Sequence, residues 1–190
     1  MLLNAHGALA PSDWVQRWTH LVAQQSTVLD IACGNGRHLE WFSGKGHQVT
    51  GVDRDISAAK AASLPVTLIE ADIESGPWPL QRDGDVQTFD VVVVTNYLWR
   101  PLMPTVLRSV KPGGWLIYET FATGNEEFGK PSRPDFLLHS GELLLMCAGM
   151  QIIAYENGML QGPSRIVQRI VAKRPPEPSG LAASHFRHLL

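Results

Sequence analysis

Cysteine is nearly absent from this 190-residue chain: Cys33 and Cys147 are its only two. A disulfide framework needs several pairs and a zinc site needs clustered ligands, so two thiols this far apart support neither. A reducing compartment is the simplest expectation. Long apolar runs are also missing. Runs such as "VVVV" at 91–94 fall far short of the roughly 20 residues that cross a bilayer, and no basic-then-apolar leader opens the sequence. A cytoplasmic protein without a membrane segment is therefore expected. Charge of one sign is lacking too, since 16 Lys and Arg stand against 18 Asp and Glu, for a formal net charge of -2. That balance supplies no basic field, which argues against a nucleic-acid partner. No internal repeat is visible, and nothing specifies an oligomeric state.

What is present is an alternation of strand-like and helix-like segments. With 44% apolar side chains the chain can bury one core, and a single domain is expected over residues 1–174, followed by a flexible tail over 175–190 that opens with three prolines in four residues. "PSDWVQRWTHLVAQQ" places Trp14, Trp18, Leu21 and Val22 on one helical face with Ser12 as its cap, and residues 1–26 are expected to form an N-terminal helix and lid. Strands follow at "TVLDIAC" (27–33), "HQVTGVD" (47–53) and "VTLIEADI" (66–73). The strongest strand signal is "FDVVVVTNYL", whose lack of alternation predicts burial on both faces. A helix through "LMPTVLRSV" should stop at "KPGG", before a fifth strand, "WLIYETF" (115–121). The Gly- and Pro-rich stretch 122–138 reads as a long loop. Over 139–174, Ser140 is placed to cap a helix and a final strand pair should close the sheet. This order describes an α/β fold, a Rossmann-like three-layer sandwich around a mostly parallel sheet.

The functional signal is "VLDIACGNGRH", residues 28–38, where a buried strand runs into a glycine turn that opens a helix. The free N–H groups of such a helix face the crevice above the sheet and suit a ligand rich in acceptors. A dinucleotide needs a third small residue three positions after the second glycine, but Gly36 is followed by Leu39. Asp30, a carboxylate at the strand's end, would repel a pyrophosphate and attract an ammonium group. S-adenosylmethionine carries such an ammonium.

Taken in order, "VLDIACGNGRH", "GVDRD", "EADI", "FDVVVVTNYL" and "VKPGGWLIYET" resemble the successive motifs of class I S-adenosylmethionine-dependent methyltransferases. The first, with its acid four residues before a G-x-G, resembles in particular the small tellurite-resistance TehB-like branch. The resemblance covers residues 27–121 by motif and the remainder by topology. It implies a sheet of seven strands, all parallel but one near the C-terminal edge, with the cofactor above the first and fourth strands, where the order reverses. It further implies that Asp30, with Ala32, Cys33, Gly34, Gly36 and Arg37 around the turn, holds the methionine portion. Asp53 would accept both ribose hydroxyls, Arg54 or Ile56 would lie against the adenine, and Asp72 and the N–H of Ile73 would serve its polar edge. Asn96 would face the sulfonium and the acceptor, with Tyr97 beside it. "TNYLW" lacks the Asn-Pro-Pro-aromatic run of the branches that methylate exocyclic base amines.

The expected activity is methyl transfer from S-adenosylmethionine to a small molecule, leaving S-adenosylhomocysteine. The alternatives are a nicotinamide-dependent Rossmann oxidoreductase and a non-catalytic S-adenosylmethionine-binding module. Aligning the acceptor and excluding water is the main catalytic task, and no metal is required. Where a base is needed, Glu119, Tyr97, His139 and Glu126 are positioned for it. Trp99, Tyr97, Phe121, Phe128 and Phe136 flank the crevice and could form an acceptor pocket. Residues 122–138, with hinges at Gly124 and Gly129, could act as a lid. Trp14, Trp18 and Trp41 read as packing residues, His38 as a cover of the helix surface, and Cys33 as a small turn residue.

Overall fold

The computed structural model describes residues 10–177. The expected tail beyond 177 and the first nine residues of the expected lid lie outside the described residues. Seven strands form one sheet in the order β3-β2-β1-β6-β7-β9-β8. They are β1 (Thr27–Ile31), β2 (Gln48–Asp53), β3 (Thr67–Glu70), β6 (Phe89–Thr95), β7 (Val110–Phe121), β8 (Gln151–Leu160) and β9 (Arg165–Lys173). The first five run parallel, and β9 is antiparallel to both β7 and β8. The chain direction across the sheet reverses between β1 and β6, as the sequence implied. A two-stranded hairpin, β4 (Gln81–Arg82) and β5 (Asp85–Val86), stands apart. Its turn is Asp83-Gly84, both left-handed at φ 55° and 87°, the pairing a tight hairpin favours.

The strand sequences explain the layering. Val91, Val92, Val93 and Val94 of β6 are all 0% exposed. Val92 and Val94 join a core with Leu29, Leu116, Tyr118 and Ile170, while Val91 and Val93 join a second core with Trp14, Trp18, Leu39 and Phe42. Both faces of the central strands are therefore covered, and each buried Val or Leu contributes about 1.5–3 kcal/mol. Helices α1 (Asp13–Trp18), α2 (Arg37–Ser43) and α3 (Ser57–Ala61) serve the second core, and α4 (Met103–Ser109) and α5 (Glu142–Met146) the first. Trp14 and Trp18 are buried packing residues, and the Trp41 indole N–H donates to Thr19 Oγ1 at 2.9 Å. Among the described residues no helix is long and apolar enough to cross a membrane.

Several boundaries differ from expectation. The "KPGG" segment lies inside β7, which starts at Val110 across a register shift between Phe89 and Val91. Gly114 lets this happen, because a Cβ there would meet the carbonyls of Asp90 and Lys111 at 2.8 Å. The third strand stops at Glu70, short of Asp72. Ser140 does not cap α5; Gly141, left-handed at φ 74°, occupies that position, and Glu142 Oε2 accepts the His139 N–H at 2.8 Å instead.

Candidate active site at the switch point

A cleft of about 620 Å³ opens where the carboxyl ends of β1, β2, β3, β6 and β7 converge. β1 delivers Ala32 to it, β2 delivers Asp53 and Arg54, and the turn after β3 delivers Asp72 and Ile73. Asn96 and Tyr97 follow β6. These seven predicted positions all line the cleft. Glu74, Ser75, Leu98, Thr120 and Pro131 line the cleft as well and were not anticipated, whereas Phe121 and Phe136 were. Trp99 and Phe128 are not part of the lining, and Phe128 lies 44% exposed on the surface.

The turns that shape the cleft are built by strand-end acids. Asp53 Oδ2 accepts the Gly34 N–H at 2.8 Å and its Oδ1 accepts the Asp55 N–H at 3.1 Å. The β2 acid thereby fixes the glycine turn that follows β1. Asp72 Oδ1 accepts from the N–H groups of Glu74 and Ser75, and these bonds hold its carboxyl below the usual range. Gly34 is left-handed at φ 53° with nothing within 4 Å of where a Cβ would stand, which leaves its side of the turn open. Leu39, where a dinucleotide fold keeps a small residue, fits because β2 makes room for it. A Cβ on Gly51 would lie 2.8 Å from Leu39 Cδ1 and 2.9 Å from Cys33 Sγ.

Beneath the turn lies a buried polar cluster. Asp30 is 1% exposed and neither of its carboxylate oxygens has a hydrogen-bond partner. His38, expected on the helix surface, is instead 1% exposed. Its Nε2 accepts the Ser12 N–H at 3.1 Å, which puts the ring proton on Nδ1, 3.7 Å from Asp30 Oδ2. That separation is too long for a hydrogen bond. Glu119 belongs to this cluster and not to the cleft: it is 2% exposed, accepts from Ser12 Oγ at 3.0 Å and faces Arg169 Nη1 at 3.3 Å. Arg37 reaches Thr95 Oγ1 at 3.3 Å, and burial lowers its pKa against the pull of Asp30 and Glu119. Asp30, Cys33, Gly34, Gly36, Arg37 and Ile56 are not among the lining residues, and of these Gly34 is exposed while Ile56 and Cys33 are buried. Burial, then the Asp30 and Asp53 carboxylates, push the Cys33 thiol up to about 12, so it stays protonated.

Of the candidate bases, Tyr97 alone lines the cleft. Burial pushes its phenol well above the ordinary range, and Glu74, Asp72 and Asp53 push the same way. The hydroxyl is buried, and although Glu74 lies near, no bond of ordinary geometry partners it. His139 is exposed outside the cleft, and Glu126 accepts the Gly124 N–H at 2.8 Å.

Comparison with known proteins agrees with this geometry. Residues 28–114 match the family model described as a methyltransferase domain. Ubiquinone biosynthesis O-methyltransferase of Burkholderia vietnamiensis is 31% identical over 114 residues, 56% of this chain and 48% of that protein. The tRNA U34 carboxymethyltransferase of Pseudoalteromonas translucida is 27% identical over 138 residues, 65% of this chain and 43% of that protein. The chain thus spans about half the length of the curated relatives it matches. Among solved structures, TehB from Haemophilus influenzae superposes with a TM-score of 0.65 at 18% identity, over 85% of this chain and 61% of that one. Residues 28–114 thus match a methyltransferase domain, and the chain shares its fold with TehB.

Proposed function

We propose that this chain transfers a methyl group from S-adenosylmethionine to a small-molecule acceptor bound in the 620 Å³ cleft. The observation that carries the reading is Asp30, a carboxylate 1% exposed at the reversal point of the sheet with both oxygens unpartnered. A buried charge in that state is expensive unless a cation satisfies it, directly or through water. The residues present fit the cofactor. Asp30 would answer its ammonium, Asp53 its ribose diol, and Asp72 with the Ile73 N–H its adenine edge. The open side of Gly34 leaves space for the methionine portion.

When bound, the cofactor supplies an electrophilic methyl on a sulfonium with a good leaving group. The chain's own residues then align and shield, a contribution that can reach about 7–11 kcal/mol. Asn96 and Tyr97 line the cleft just after β6, and the Tyr97 phenol, pushed upward by burial, is neutral at ordinary pH. Glu119, held by Ser12 and Arg169, orders the N-terminal helix and takes no proton from the acceptor. The acceptor therefore arrives as a good nucleophile or loses its proton to solvent.

A nicotinamide dinucleotide fits less well, since Leu39 fills the space opposite Gly51 and Asp30 opposes a pyrophosphate. Titration calorimetry with S-adenosylhomocysteine and with NAD decides between them: binding of the first alone is expected, and binding of NAD alone would refute the proposal. Release of S-adenosylhomocysteine on incubation with candidate acceptors separates an enzyme from a silent binding module.

A further inference from the structure

The two halves of the cleft differ in chemistry. The half nearer β2 and β3 carries Asp53, Arg54, Asp72 and Glu74. The half nearer β6 and β7 is lined by Tyr97, Leu98, Thr120, Phe121, Pro131 and Phe136, with no ionic side chain among them. Its polar groups are two hydroxyls, and that of Tyr97 is buried without a partner. The carboxylates that push the Tyr97 phenol upward make this half unfavourable for an anion.

The outer wall of this half is fastened from outside the loop that carries it. Arg100 donates Nη1 to the Asp135 carbonyl at 2.7 Å and Nη2 to the Leu137 carbonyl at 2.9 Å, which are the residues on either side of Phe136. The same guanidinium is clamped by both Glu142 oxygens, at 2.7 and 2.9 Å. Arg133, paired with Asp135 at 2.7 Å, lies 5.2 Å from the Phe136 ring centroid. Pro131 is fixed in turn by Asn125, which is 2% exposed, donates Nδ2 to the Pro131 carbonyl at 3.0 Å and accepts the Ile166 N–H at 3.1 Å. The bridge between Ala122 and Leu138 closes the base of the loop. Gly124 and Gly129 are left-handed, as hinges could be, but the chain between them is tied down on both sides.

We propose that this half of the cleft is a preformed slot for a flat, uncharged aromatic acceptor, selected by Phe136, with Arg100 as the positioning residue for that wall. The inference rests on the reading that the other half binds the cofactor. Aromatic walls favour a ring that can stack. Rigid walls also mean that the loop does not need to close over the acceptor.

The test uses the full chain with saturating S-adenosylhomocysteine and four probes of similar size, followed by saturation-transfer NMR. They are p-cresol, 4-methylcyclohexanol, which is not flat, p-toluate, which is anionic, and 4-methylbenzylamine, which is cationic. Binding of S-adenosylhomocysteine is measured first, and its failure in the wild-type chain overturns the underlying reading and not the slot. Given that binding, p-cresol should bind at least about fivefold tighter than each other probe, the size of an aromatic stacking preference. Phe136→Ala and Phe136→Leu should each weaken p-cresol by about fivefold, and Arg100→Met should weaken it similarly while hydrogen exchange at 134–138 rises. S-adenosylhomocysteine affinity should stay unchanged in all three variants. Equal binding of 4-methylcyclohexanol, preference for either charged probe, or undiminished p-cresol binding in both Phe136 variants would overturn the inference.

Discussion

Asp53 offers the sharpest quantitative test of the cofactor site. An ionised carboxylate has about four lone-pair positions. Two are taken, by the N–H groups of Gly34 at 2.8 Å and Asp55 at 3.1 Å, and the remainder suit the two hydroxyls of a ribose. Asp53→Ala removes both acceptors at once. Hydrogen bonds to a charged group are worth about 1.5–3 kcal/mol, so S-adenosylhomocysteine should bind roughly 10- to 150-fold more weakly by calorimetry. Asp53→Asn should be nearly as damaging. An amide has one acceptor oxygen, and its NH₂ end would face either the Gly34 or the Asp55 N–H, donor against donor. Both backbone bonds are solvent-exposed, so the stability loss should stay near 1 kcal/mol in urea, which separates loss of binding from loss of fold. Affinity within twofold of wild type in Asp53→Ala would remove this residue from the site and the ribose assignment with it.

Three further outcomes follow from particular contacts. Gly51→Ala drives a Cβ to 2.8 Å from Leu39 Cδ1, so it should destabilise by about 1–3 kcal/mol in thermal unfolding, and adding Leu39→Val should restore part of that in a double-mutant cycle. Asp30→Asn replaces a buried carboxyl that has no hydrogen-bond partner, so the ligand-free chain should melt higher while S-adenosylhomocysteine binding falls about tenfold or more; a lower melting temperature would contradict the reading of Asp30 as unsatisfied. Burial alone would raise the Glu142 carboxyl, but Arg100 and the His139 N–H outweigh it and hold the carboxyl below its ordinary 4.5. A depressed carboxyl contributes stability above its unfolded pKa and loses it as pH falls through the folded value, so the gap between wild type and Glu142→Gln in urea should be full at pH 6 and shrink below about pH 4.5.

How much was legible in the sequence depends on which physical pattern each residue obeys. Val91 to Val94 form an unbroken apolar run because both faces of β6 are buried, and β6 reads as a strand for that reason. Asp53 announces itself as the acid that ends β2, and Asp72 as an acid in the turn just beyond β3. The side to which Glu119 turns was not readable: when both faces are buried, alternation vanishes, and the surrounding Tyr118 and Thr120 give no parity. His38 looked exposed because its helix is amphipathic, yet the N-terminal helix folds over it and supplies the Ser12 N–H, a contact spanning 26 positions. The α5 cap position went to Gly141, which is left-handed, and not to Ser140. The Asp83-Gly84 hairpin carried its own turn signal, which the surrounding Pro and Gly obscured.

One regularity ties the fold to the site. Ala32 and Asn96 follow the two strands that flank the reversal point, and both are left-handed without being glycine, at φ 56° and 55°. Asn tolerates that conformation through local hydrogen bonding; Ala has no such help, and a non-glycine residue there costs about 1–2 kcal/mol. Both residues line the cleft. The bend after β6 is held by the Asn96 N–H donating to the Glu119 carbonyl at 2.9 Å, and the bend after β1 by the Cys33 N–H donating to the Val52 carbonyl at 3.1 Å. In each case the neighbouring strand fixes the turn, so the strain is borne by the sheet and not by the loop. Such positions persist where the surrounding structure over-determines them, and they tend to gather at binding sites. Here both sharp bends turn the chain aside at the same edge of the sheet, between Asp53 on one side and Tyr97 on the other. Two strands that simply continued would fill the space that these bends leave open for a ligand.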